Sequence, residues 1–427
     1  MSIMIESFTQ RAERALGGFE KLFFLLNQKH PNHFAVVGEI TGPTSVDQWQ
    51  DSLDRVARHS PLIWSRIEQE IYGVPAFRQA PQKSIPLNVV PYDPLAWTAE
   101  AAGQIVLPFD DLQPPLLRAT LLHETHRAII ILVAHHSIAD GLSLTYLLGD
   151  LMRALSGKKL VRSQETAAVK RLIGRRYGPM LAQSPTLEWA SHQAPVAKWA
   201  ENKFRYADGS TPLVDAIALT ASMTLDLRNR ARAEGTTVHS ALAACLAMAS
   251  KHLAPGVDRE YMRIVSPVDL RRRLLDDSDH LGLCTGGVVL VDDGPRDANL
   301  WARARHLGQA FVSIQSPEVL AGMVLGADGM AANISEPDEA RALFLDKFPR
   351  DAVVTNLGVV NLPRQYGPLK LESLWGPAVS MGVVGEQVVG AVTFNNQLHL
   401  LHTSFEPVEG LLEEMLAEFW VALAKRC

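Results

Sequence analysis

The stretch Ala134-His135-His136-Ser137-Ile138-Ala139-Asp140-Gly141 holds the residues best suited to chemistry. It falls where a strongly apolar strand ends and a helix begins, and such a turn at the edge of a core can present one side chain to a cleft. His136 is suited to take a proton near neutral pH, where imidazole titrates. Asp140 stands at the helix start, where a carboxylate accepts backbone N–H bonds and opposes the helix dipole. Gly141 permits close backbone approach or unusual dihedrals. An isolated His and Asp would read as a strand-end residue and an N-cap. The whole string HHxxxDG is far more specific than either.

Other candidates are weaker. His123, His126, His135, His136 and Asp140 cluster in sequence, but H-E-T-H is not the HExxH helix motif and falls at an expected hairpin turn. No metal site is expected there. Ala378-Val379-Ser380-Met381-Gly382 resembles a degenerate nucleophile elbow, yet Val383 and Val384 read as continuing apolar strand rather than helix. GVVGEQVVG at 382–390 lacks the spacing and the following helix of a phosphate loop. Cys245 falls on the apolar face of a helix and reads as core. No feature near Cys284 lowers its pKa.

The elements that must position His136 follow from periodicity. Leu116–Leu122 and Arg127–Ala134 read as a hairpin around the HETH turn. Leu144, Leu147, Leu148 and Leu151 mark an amphipathic helix running to about Leu155. Upstream, residues 15–28 and 45–59 read as helices flanking a strand from His33 to Ile40. In the second half, Thr236-Thr237 cap a helix through about Leu253. Tyr261–Pro267, Leu283–Val291 and Ala352–Asn356 read as strands, and Asn299–Ile314 as a helix. Val388–Phe394 and Leu398–Phe405 form a second hairpin around Asn395-Asn396, and a last helix spans Val408 to Ala424. Hairpins without strict strand–helix alternation give an α+β class. Three regions are expected: a lobe at 1–155, a proline-dotted basic connector at 156–212, and a second lobe at 213–427.

Composition bounds the rest. A chain of 427 residues with 47% hydrophobic and 20% charged residues is globular and long enough for more than one core. A net charge of −5 provides no general field for nucleic acid. The basic clusters GKKLVR and KRLIGRR within 156–212 lack interleaved aromatics and read as a solvated face. Three cysteines without CxxC spacing argue against a disulfide framework and fit a reducing cytoplasm. No apolar run reaches the roughly 18 residues of a membrane helix, and no secretory signal is read at the N-terminus.

The string at 135–141 resembles the signature of the superfamily containing chloramphenicol acetyltransferase, condensation domains and polyketide-associated acyltransferases. Other segments carry the same likeness in order. LGGFEKLFFLLN at 16–27 before HFAVVGEI, and His59-Ser60-Pro61-Leu62 with an arginine at 66, resemble the polyketide-associated branch. Ser266-Pro267-Val268-Asp269-Leu270-Arg271 resembles the PxDLR segment, and Thr355-Asn356-Leu357-Gly358 an SNLG-like strand end with threonine for serine. The DFGWG segment of many condensation domains is replaced by FNNQLHLLHTSFEP, which points to the acyltransferase branch.

The resemblance implies two chloramphenicol-acetyltransferase-like lobes forming a pseudo-dimer, with a tunnel between them reaching His136. It makes His136 the general base and gives Asp140 a structural role, paired with an arginine; the matching arginine is Arg271, followed by Arg272 and Arg273. His135 and Gly141 support the turn, while Ser137, Thr355 and Asn356 line the tunnel. Ser137 and the backbone N–H groups of 137–141 are the candidate oxyanion donors. No bound cofactor is implied: the co-substrate is acyl-CoA or a phosphopantetheinyl carrier protein, and the acceptor is a hydroxyl or amine. A monomeric cytoplasmic O-acyltransferase is the expected protein. A free-standing condensation enzyme forming an amide, and a non-catalytic carrier-protein docking element, are the alternatives.

Overall fold

The computed structural model describes residues 14–69, 74–160, 201–253, 261–274, 281–294, 298–313 and 316–424, with a few positions between 168 and 173. Two six-stranded sheets dominate. The first runs Gln365–Tyr366, Leu369–Val379, Phe34–Thr41, Arg127–Ala134, Leu117–Glu124, Leu87–Pro91. All its pairs are antiparallel except the outermost, Leu87–Pro91 against Leu117–Glu124. Its central strands are apolar on both faces because both faces are covered. Val36 and Leu132 meet Trp49 and Leu148 from the helices Val46–Arg58 and Gly141–Leu155. Val37, Ile131 and Val133 meet Trp97 and Ile105 from the helix Trp97–Val106 on the other side.

The second sheet runs Thr285–Asp292, Met262–Asp269, Ala352–Val359, Gln387–Phe394, Gln397–Ser404, Leu213–Ala218. Four helices, Ala221–Ala233, Val238–Leu253, Leu300–Ser313 and Leu411–Ala424, supply Leu227, Leu242, Leu307 and Phe419 to the core on one face. Its other face, through Val265, Val353 and Val388, joins the core of the first lobe. The hairpin closes at Asn395 and Asn396, with φ of 49° and 63°. Asparagine tolerates that left-handed backbone, and the tight hairpin turn requires it. The class is α+β, in two lobes, with the helix-capped hairpins where the sequence puts them.

One strand crosses the division at 155 and 213 in space. Leu369–Val379, from the 213–427 range, pairs antiparallel with Phe34–Thr41 in the first sheet. That strand of the first lobe would otherwise be an uncovered apolar edge. Where the sheets meet, a Cβ on Gly390 would overlap the Pro377 carbonyl oxygen, so only glycine allows this approach. Of the 156–212 connector, residues 161–167 and 174–200 lie outside the described residues. Among the described residues no single helix is long and apolar enough to cross a membrane; one bent pair, Leu300–Val312 with Pro317–Ala332, passes only jointly and turns by 74°.

Candidate active site

The strand Arg127–Ala134 delivers the chain to a two-histidine turn, and Asp140 starts the next helix. Asp140 Oδ1 accepts the Ser143 N–H at 3.0 Å, and Ser143 Oγ accepts the Asp140 N–H at 3.0 Å. This reciprocal cap fixes the helix start. The two histidines then separate in role. His135 is fully buried: its Nδ1 accepts the Ser137 N–H at 3.1 Å, and its Nε2 lies 3.2 Å from Asp111 Oδ1. Accepting at Nδ1 places the hydrogen on Nε2, so His135 is a strut inside the turn.

His136 is half-buried and lines a cavity between the lobes. Its Nδ1 lies 3.1 Å from the Ala139 carbonyl, so Nδ1 carries the hydrogen and donates it. Nε2, with no hydrogen-bond partner among the described residues, keeps its lone pair. Phe23 stacks on the ring at 4.1 Å and 11°, and Phe34 tilts against it at 4.7 Å. Burial pushes the His136 pKa down to about 4, against its backbone hydrogen bonding and the charge of Asp140. At neutral pH the imidazole is therefore a free base.

Asp140 points the other way. Its Oδ2 accepts Arg271 Nη1 at 2.8 Å and the Cys284 N–H at 2.8 Å, both from the second lobe. Arg271 in turn donates to the Gly282 carbonyl at 3.0 Å and to Asp269 at 3.2 Å. Burial opposes the Asp140 charge, but the Arg271 guanidinium and the Ser143 and Cys284 N–H groups hold its carboxyl below the usual range. The pair is 2% and 8% exposed, so the lobes are tied together by a desolvated ion pair beside the cavity. Gly141 also touches the second lobe: a Cβ there would stand 2.8 Å from Leu357 Cδ2. Its φ is not positive, so close approach and not backbone freedom is its reason.

The cavity encloses about 1070 Å³ of non-atom space, counted to its open mouth. Phe19, Phe23, Phe344, Phe348, Val353 and Val388 make most of it apolar, with Thr355, Asn356 and Arg350 as polar members. Asn356 also borders a second cavity of about 1160 Å³, lined by Ser222, Thr224, Arg228 and Asn396. The Asn356 Oδ1 accepts the Gly358 N–H at 2.8 Å, and the amide NH₂ has no hydrogen-bond partner among the described residues.

Three expectations change. Ser137 does not line the cavity: it is fully buried, and its hydroxyl donates to the Glu20 carbonyl at 3.0 Å. The N–H groups of Ser137, Ile138 and Asp140 are likewise spent inside the turn. Ser380 does not precede continuing strand, because the strand ends at Val379 and residues 380–386 turn around Glu386. Cys284 is a cavity-wall residue whose thiol burial pushes up to about 12, and Cys245 is raised well above its usual value by burial among apolar neighbours. His123 contacts Thr44 Oγ1 at 3.0 Å rather than a cluster of ligands. Among the described residues, one His–carboxylate group has ion-binding spacing, His252 with Glu414 and Glu418, and its members already pair at 3.0 and 2.9 Å.

Phe23, Phe344, Phe348 and Arg350 were not legible as site residues. They come from segments more than 200 positions apart, and periodicity reports which face is buried but not which segments meet.

Residues 208–276 match a family model described as the C-terminus of phthiocerol/phthiodiolone dimycocerosyl transferase. No curated protein matches by sequence. Solved structures match along the chain. Polyketide synthase associated protein 5 from Mycobacterium tuberculosis is 17% identical, with a TM-score of 0.66, covering 98% of this chain and 100% of that one. The first condensation domain of the CDA synthetase is 14% identical, with a TM-score of 0.72 and coverage of 98% and 97%. Trichothecene 15-O-acetyltransferase from Fusarium sporotrichioides is 13% identical, with a TM-score of 0.67 and coverage of 96% and 94%. At these identities the likeness is one of fold.

Proposed function

From a chain with the two-lobed fold of the condensation-domain superfamily and a Pap-type match in its second half, we propose an acyltransferase that moves an acyl group from a thioester to a hydroxyl acceptor. The observation that carries this reading is His136: Nδ1 committed to the Ala139 carbonyl, Nε2 without a hydrogen-bond partner among the described residues, and the ring on the wall of an inter-lobe cavity. In the proposed step Nε2 takes the acceptor's hydroxyl proton as the oxygen attacks the thioester carbonyl. The tetrahedral intermediate collapses with release of the thiolate of coenzyme A or of a carrier protein's phosphopantetheine arm. The hydrogen bond to Ala139 and the nearby Asp140 carboxylate favour the imidazolium that forms.

With Ser137 occupied, the Asn356 NH₂ takes its place as the candidate oxyanion donor. Asn356 borders both cavities, so two substrates entering from opposite sides would meet beside it, and holding them there supplies much of the rate. Direct transfer in a ternary complex fits the nucleophiles at hand. Ser380 donates its hydroxyl to Glu386 at 2.7 Å, but no histidine base is bonded to it, and both described cysteines are held as thiols.

The test supplies acyl-CoA and acyl-carrier protein with alcohol and amine acceptors separately, and follows free thiol and product mass. Ester formation, with no acyl adduct on the enzyme when acceptor is omitted, is the expected result. Amide product alone would make it a condensation enzyme. No thiol release from any donor would leave the docking-element alternative.

A further inference from the structure

Among the described residues Arg350 and Arg271 are the guanidiniums that line the cavity, and unlike Arg271 the Arg350 head makes no hydrogen bond to a carboxylate. It is 2% exposed. Its Nε donates to the Phe348 carbonyl at 3.0 Å, and its plane lies over Phe344 at 4.3 Å. Nη1 stays 4.0 Å from Glu386 Oε2, beyond a hydrogen bond, and Nη2 is buried with no hydrogen-bond partner among the described residues. Glu386 cannot close that gap cheaply. Its Oε1 is held by Ser380 Oγ at 2.7 Å, Met381 N at 2.7 Å and Gly382 N at 3.0 Å, which pins the carboxylate to its own turn.

A buried donor left unpaired is costly and calls for a reason. Here the donor sits where a ring contact chain ends: His136 on Phe23, Phe23 against Phe344, Phe344 under Arg350. Arg350 and His136 are lining residues of the same cavity. We infer that Arg350 is a specificity-determining residue that recognises an uncharged oxygen substituent, a hydroxyl or keto group, on the apolar skeleton of the substrate filling this cavity. An uncharged oxygen suits the site because Glu386 already faces the guanidinium; a substrate carboxylate would put a second anion into the same dry space.

The inference rests on the cavity being the substrate site proposed above, and the experiment separates the two. Binding is measured by calorimetry for two probe series: S-alkyl-CoA thioethers, and alkanols with the corresponding diols. In each, plain chains of medium to long length are compared with chains bearing one hydroxyl or keto group, moved along the skeleton. At one position in one series the oxygenated probe should bind about tenfold tighter than its plain partner, and Arg350→Met should abolish that ratio. The series that shows it identifies whether the oxygen belongs to the acyl chain or to the acceptor. Plain chains binding with no gain at any position overturn the inference, and the wild-type scan decides this even if Arg350→Met fails to fold. A ratio that survives in Arg350→Met overturns it too. Failure of every probe to bind overturns the cavity reading and this inference with it.

Discussion

His136 and Asp140 are four residues apart and do different work, which single substitutions can separate. His136→Ala removes the proposed base and should cost about 10²–10⁴ in turnover. It deletes one stacked ring at the cavity wall, worth about 0.5–1.5 kcal/mol, so melting should stay within a few degrees of wild type. Because burial holds this imidazole near 4, kcat/KM should be flat through neutral pH and fall only below about pH 5; a break near pH 6.5 would mean the ring is solvated in solution. Asp140→Ala leaves Arg271 buried without its main partner, a loss of roughly 3–5 kcal/mol. Arg271→Ala should give a similar drop in denaturant midpoint, and the double variant should lose less than the two singles combined. Activity lost in Asp140→Ala with unchanged stability would place the carboxylate in the chemistry instead.

At the scale of elements, two glycines hold the lobes in contact but face different obstacles. A Cβ on Gly390 meets backbone, the Pro377 carbonyl oxygen, which cannot move without shifting the strand Leu369–Val379. A Cβ on Gly141 meets the end of the Leu357 side chain, which can rotate. Gly390→Ala should therefore cost about 3 kcal/mol or more and Gly141→Ala about 1–2, read from urea unfolding. The elements around His136 were legible because an apolar run followed by a capping Asp-Gly is local information. Leu369–Val379 was not: LKLESLWGPAV alternates poorly, and its partner lies over 300 residues away. The helices Pro317–Ala332 and Pro337–Lys347 were missed as well, since the first is rich in alanine and glycine all round and shows little polar face. Arg350, Phe344 and Phe348 hang from that unread stretch, so the far wall of the cavity was unread with it.

For the whole molecule, burial sets the acid limit. His136, His239, His399 and His402 are each pushed down to about 4 by desolvation. Their unfolded values lie near 6.5. Above that pH neither state binds the proton, and no stability is lost. As pH falls from about 6.5 to 4, the unfolded chain takes up protons that the folded chain refuses, and stability drops by an amount on the order of several kcal/mol. Melting temperature should therefore decline steeply across this window and be level from pH 7 to 8. A melting temperature unchanged between pH 7 and 4.5 would show these rings to be hydrated.

The strand Leu369–Val379 also has a consequence for how the chain is made. Synthesis proceeds from the N-terminus, and domains ordinarily fold as they emerge. Here the first sheet waits for a strand encoded more than 300 residues downstream of its partner. Until the ribosome has passed Val379, Phe34–Thr41, with Phe34, Ala35, Val36 and Val37 all destined for burial, has a neighbour on one side only. The nascent first lobe thus carries a sticky open edge until that strand emerges. Truncated products ending before this strand should be strong chaperone clients.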